Sequence, residues 1–261
     1  MKSLLTLFLA LGFSLNIFAD IVSDQEKDAL IQLNHATNGT QWKIKWDLSL
    51  SIATWYGVQI ENGKVIALNL ADNNLQGELP ADFFSLTRLV KLDLHKNKLQ
   101  GQLPKAIYNL KELRFLDFSS NKFSGELPSE MDKLGKLEVL SLFNNEIEGH
   151  LPDSLYKIRT MRVLLLNNNK LSGTLSKEIL NFDVLENLSL FGNNFEGEIP
   201  TEIEQLHHLS ELNLSYNKFS GSVAKNLILL DSLNMTMLNE KGAPFLLEEK
   251  TEKETTSVAP N

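Results

Sequence analysis

The 261-residue sequence contains no cysteine. That absence removes disulfides, thiolate metal ligands, a cysteine nucleophile and any lipid-modified cysteine tether. Stability must come from burial. Positive charge is also in deficit: 25 Lys and Arg face 33 Asp and Glu, a formal net charge of -8. Such a balance argues against nucleic acid and anionic membrane surfaces as main partners. Long apolar runs are missing except at the N-terminus. There the chain reads Met1-Lys2, stays apolar from Leu4 to Phe18 and reaches Ala19 before Asp20. A positive start, a short apolar core and a small residue describe a signal peptide over residues 1–19. Ile17 stands where a small residue is usual, so a retained N-terminal anchor is the competing reading. Motifs of catalysis are lacking too. There is no phosphate loop, nucleophile elbow or metal-binding helix motif, and His207-His208 is adjacent, a poor spacing for ligands.

What the sequence does have is a repeat. The stretch Leu92-Asp-Leu94-His-Lys-Asn97-Lys-Leu99-Gln-Gly101-Gln-Leu103-Pro104 spells L-x-L-x-x-N-x-L-x-G-x-L-P, and the skeleton occurs seven times. Its asparagine falls at Asn73, Asn97, Asn121, Asn145, Asn169, Asn193 and Asn217, a constant spacing of 24. The glycine keeps step at Gly77, Gly101, Gly125, Gly149, Gly173, Gly197 and Gly221. A fixed period of this kind predicts a solenoid over residues 65–229. Each L-x-L is expected to form a short strand with alternate residues inward, stacked in parallel about 4.8 Å from the next. The asparagine is expected to turn inward as a ladder that satisfies backbone groups. Glycine then permits a turn, and Leu-Pro sets an extended segment. Ser176 and Ala224 replace the proline in the fifth and seventh repeats.

The flanks read as lids. Ser23-Asp-Gln-Glu26 has the spacing of a capping box, and Ala29, Leu30, Leu33 and Ala36 follow at helical spacing. Asn38-Gly39 ends that helix. Trp42, Trp46 and Trp55 come next, and a hairpin turning at Asn62-Gly63 leads into the first repeat. The tryptophans suit either a carbohydrate platform or a lid. The lid is favoured, because a solenoid end must hide its first apolar layer. Residues 20–64 are therefore read as an N-terminal cap and residues 230–247 as a C-terminal cap turning near Asn239–Gly242. Residues 248–261 are read as a polar, disordered tail.

The 24-residue form with G-x-L/I-P resembles the plant-type leucine-rich repeat of receptor kinases, receptor-like proteins and secreted polygalacturonase inhibitors. The stretch from Trp55 to Leu68 resembles that family's N-terminal cap, and the likeness covers about residues 24 to 235. It implies an α/β repeat solenoid: a curved right-handed superhelix with a parallel sheet on the concave face. Short 3-10, helical or extended segments are implied on the convex face. The family's cap usually carries cysteine pairs. Their absence here suits a bacterial or protist form, and without a kinase domain or membrane span a receptor role is not carried over.

On the concave face the middle is unusually apolar: Phe115, Val139, Phe143, Val163, Leu165 and Phe191. The fold does not require bulky apolar groups there, and a contiguous exposed patch points to a partner. Asp93 and Asp117 occupy equivalent positions on adjacent strands with His95 beside them, near the ~5 Å carboxylate spacing of a retaining glycosidase. The face is open rather than a cleft, which speaks against catalysis. Asn38, Asn187, Asn213 and Asn234 each begin an N-x-S/T sequon. The expectation is an exported, monomeric module that binds a protein or peptide through its concave sheet, using these apolar residues together with Asp93, His95 and Asp117, with no catalysis, cofactor or metal. It would be secreted, periplasmic or at the cell surface. The alternatives are an inhibitor of a secreted hydrolase, which the resemblance permits, and a glycan-binding or glycosidase-like protein using Asp93 and Asp117.

Overall fold

A computed structural model describes residues 22–250. The expected signal peptide and residues 251–261 of the expected tail lie outside the described residues.

Each repeat lays down two strands. The L-x-L segments build one parallel sheet from Lys64–Asn69, Lys91–Asp93, Phe115–Asp117, Val139–Ser141, Val163–Leu165, Asn187–Ser189 and Glu211–Asn213. Val58–Glu61 adds an eighth, antiparallel strand through the Asn62-Gly63 turn, where both residues have positive φ. The register pairs Leu68, Leu92, Leu116, Leu140, Leu164, Leu188 and Leu212 in one column. All seven are buried, so the period of the sequence becomes a continuous apolar spine.

The opposite wall is more regular than the sequence implies. The N-x-L-x-G segments were expected only to turn, yet they pair into a seven-stranded sheet running from Gln76–Gly77 to Lys218–Ser220. Their alternate residues Leu75, Leu99, Phe123, Ile147, Leu171, Phe195 and Phe219 point inward and are at most 1% exposed. Short 3-10 turns such as Ala81–Ser85, Lys105–Asn109 and Thr201–Gln205 then return the chain. Pro80, Pro104 and Pro200 precede them, the first two in extended conformation. Where Ser176 replaces proline, its hydroxyl accepts the Glu178 amide at 3.1 Å, a cap instead of a rigid ring. Ala224 opens a true α-helix, Lys225–Leu230.

The asparagine ladder joins the repeats. Asn97 Oδ1 accepts from Leu75 N at 2.9 Å and Asn73 N at 3.0 Å. Its Nδ2 donates to Leu70 O and Leu94 O, both at 2.9 Å. Asn145, Asn169, Asn193 and Asn217 repeat the scheme, each reaching back into the previous repeat. Each side chain thus ties two repeats at about 1 kcal/mol per bond. Asn73 has no earlier repeat to reach. Ile44 N donates to its Oδ1 at 2.6 Å and Ile44 O accepts from its Nδ2 at 3.1 Å, so the cap stands in.

The helix Asp24–Ala36 starts at Ser23, whose hydroxyl accepts the Glu26 amide at 3.4 Å. Glu26 does not return the bond, as a capping box would require. Its buried carboxylate accepts the Val65 amide at 3.0 Å and pairs with Lys64 at 3.2 Å, pinning the helix to the first inner strand. Close docking needs glycine twice. A Cβ at Gly57 would stand 1.9 Å from Asn69 O, and one at Gly77 would stand 2.2 Å from Ala36 O. At the other end Thr236–Leu238 pairs antiparallel with Pro244–Leu246. Glu248–Glu249, read from sequence as the start of the tail, pairs instead with Ser222–Val223, and Lys250 N donates to Val223 O at 2.9 Å.

Candidate functional site on the concave face

Alternation along each inner strand sends the residues between and after the leucines to the concave side. The strand register then places the six apolar residues in three adjacent columns. Phe115, Val139 and Val163 are successive partners; Leu165 lies between Ser141 and Ser189; Phe143 and Phe191 flank Asn167. All six are half-buried, because neighbours one repeat away cover part of each other. They form one patch, and its borders are shared with other groups. Lys91 Nζ sits 4.8 Å over the Phe115 ring, and the Phe191 ring lies 5.2 Å from that of the exposed Tyr216.

The two ends of the patch differ. Towards the N-terminal repeats it meets Asp93, His95 and Asp117. Asp93 is only 6% exposed and its Oδ1 stands 2.7 Å from His95 Nδ1. A shielded carboxylate already engaged with an imidazole is poorly placed to attack a sugar. The glycosidase-like arrangement therefore gains no support from the geometry. Towards the C-terminal repeats the patch opens into a recess of about 380 Å³ whose lining includes Phe143, Leu165, Asn167, Asn187, Glu211 and Ser232. Glu211 accepts a hydrogen bond from Asn187 and is the one charged group among the lining residues. Glu211 and Asn167 were legible as concave positions. Ser232 was not, since it comes from beyond the array and no periodicity assigns it a face.

The columns of leucine, the asparagine ladder and the paired sheets decide the family question together with sequence matching. Residues 80–240 match the family described as a leucine-rich repeat region, and residues 64–86 match a single leucine-rich repeat. The chain belongs to the leucine-rich-repeat family. As such it is similar to the PEPR1–AtPEP1 complex at 31% identity and a TM-score of 0.72, over 87% of this chain and 32% of that one. The Arabidopsis receptor kinase HAESA, in complex with the peptide hormone IDA and the co-receptor SERK1, is similar at 38% identity and a TM-score of 0.58. That match covers 59% of this chain and 26% of the receptor chain. A plant ice-binding protein shares the fold alone, at 23% identity and a TM-score of 0.57, over 84% and 86% of the two chains. This leucine-rich-repeat chain thus spans about a third or less of the chains it matches in the PEPR1 and HAESA complexes.

Proposed function

We propose that this leucine-rich-repeat protein is exported and binds a peptide, or an extended protein segment, along its concave sheet without catalysis. The observation that carries the reading is the apolar patch running from Phe115 to Phe191 and opening into the recess beside Glu211. An extended chain laid along such a face would bury side chains against the patch and place polar groups in the recess. The likeness to HAESA, whose structure holds a peptide hormone, supports the same mode. Secretion or display at the cell surface rests on the leader-like residues 1–19 and on the receptor relatives. No helix among the described residues is long and apolar enough to cross a membrane.

The test is selection of displayed peptides on immobilised residues 20–261, followed by calorimetry on the winners. Replacing Phe143 or Phe191 with Ser should leave the fold intact and weaken binding by about 2 kcal/mol or more at a hot spot. A convex change, Lys133→Ser, should leave affinity alone. Unchanged affinity in both phenylalanine variants moves binding off the concave sheet.

A further inference from the structure

The strand register brings Asp93, His95 and Asp117 together so that one ligand atom from each lies within 4.8 Å of the others. Asp93 and Asp117 are direct partners on adjacent parallel strands, and His95 leaves the same face two residues after Asp93. Asp93 Oδ1 takes the His95 backbone amide at 3.3 Å as well as the ring nitrogen at 2.7 Å. Asp117 Oδ1 accepts the Ser119 amide at 2.9 Å. Among the described residues no lysine or arginine pairs with either carboxylate. Lys91 lies over the Phe115 ring, and Lys96 pairs with Asp72 at 3.5 Å. Two neighbouring carboxylates are thus left with one imidazole to offset them, and like charges this close are unfavourable.

A second observation is independent of that charge. Ser119 and Ser141 are 1% and 3% exposed, and neither hydroxyl has a hydrogen-bond partner. Ser141 is the register partner of Asp117 on the next strand, and Ser119 follows Asp117 by two residues on the same face. Both residues are thus backbone neighbours of Asp117, and neither hydroxyl hydrogen-bonds its carboxylate. Buried hydroxyls are ordinarily satisfied, and an ion is one group that satisfies them.

We propose that Asp93, His95 and Asp117, adjoined by the unpartnered Ser119 and Ser141, form a site for a divalent first-row transition ion of the zinc or manganese class. The donor set is nitrogen and oxygen without sulfur, and imidazole selects such ions over calcium or magnesium. The 2.7 Å between Asp93 Oδ1 and His95 Nδ1 is a hydrogen-bond distance, and the two atoms part to the roughly 3.0–3.4 Å between adjacent ligands on an ion with bonds of about 2.1 Å. The ion replaces the hydrogen bond between those two atoms, and Asp117, within 4.8 Å of both, closes in as the third ligand. The His95 side chain is 40% exposed, which leaves a route in from the concave side. The site adjoins the apolar patch but does not depend on the peptide reading.

The test is calorimetric titration of zinc chloride, and separately manganese chloride, into residues 20–261. One ion per chain is expected, with a micromolar dissociation constant. His95→Gln and Asp117→Asn should each weaken binding about tenfold or more, with circular dichroism unchanged. The exposed His95 position guards against a folding artefact should Asp117→Asn perturb the sheet. Replacing His207 and His208 together with Ala should leave the affinity intact, and manganese should broaden amide signals of residues 93–95, 117–119 and 141. The proposal is overturned by no binding, by binding that survives both site variants, or by binding lost only in the His207/His208 variant.

Discussion

At both ends of the solenoid an apolar layer and a half-used hydrogen-bond ladder run out of repeats, and the two ends are closed with different material. The N-terminal end uses bulk. Trp42, Trp46 and Trp55 are all buried, with Trp46 at 4.8 Å from each of the other two rings. Each indole N–H finds a carbonyl: Trp42 donates to Thr37 O, Trp46 to Tyr56 O and Trp55 to Asp47 O. The C-terminal end uses a polar plug. Asp231, 1% exposed, accepts from Leu214 N, where a further strand would have supplied a backbone carbonyl, and also from Ser215 N, Ser215 Oγ and Leu233 N. Met235, Met237 and Leu247 cover the last layer, while Leu229 and Leu246 stay 74% and 62% exposed. Rigid aromatic burial removes more apolar area from water than this thinner cover, so the C-terminal end should open first.

The largest expected effect is removal of the N-terminal cap. Deleting residues 20–64 should strip the first apolar layer and Asn73 of their cover and cause aggregation, seen by size-exclusion chromatography. A soluble monomeric deletion would contradict the lid. Next in size, Trp46→Ala should cost about 3–5 kcal/mol in urea titration, whereas Leu246→Ala at the other lid should stay within about 0.5 kcal/mol. Equal losses would erase the contrast between the ends. Asp231→Ala should cost about 1–3 kcal/mol by orphaning buried donors. Hydrogen exchange should then speed up at Leu214 and Ser215 while Ala67–Asn69 keep their protection. Asn145→Ala should fall in the same range of about 1–3 kcal/mol. The exposed Lys122→Ala should change little, so equal stability of those two variants argues against the ladder. The smallest effect is expected from ending the chain at Lys250, which should leave the melting temperature unchanged.

The candidate site was partly legible. The residues of the patch and the Asp93–Asp117 pair follow from alternation and a constant period, because every repeat assigns the same face to the same position. Their exposure does not follow. Ser119 is buried and Phe143 half-buried at one repeat position, and Asp93 is buried and Asp117 half-buried at another, since the size of neighbours 24 residues away decides what solvent reaches. The recess was hidden for a related reason: it needs Ser232, which lies past the last periodic residue.

The sequence alone determined the solenoid, its strand columns and the asparagine ladder. Each of these is a contact between a residue and its equivalent one period away, and a constant spacing of 24 writes that contact into the spelling. Only the tertiary structure decided the rest. Glu26 leaves its own helix for Val65, 39 residues on; Ile44 stands in for a missing repeat; Asp231 takes the place of a missing strand. No local period encodes these contacts, because they join unlike segments, and their partners are set by which backbone groups remain unsatisfied once the repeats have stacked.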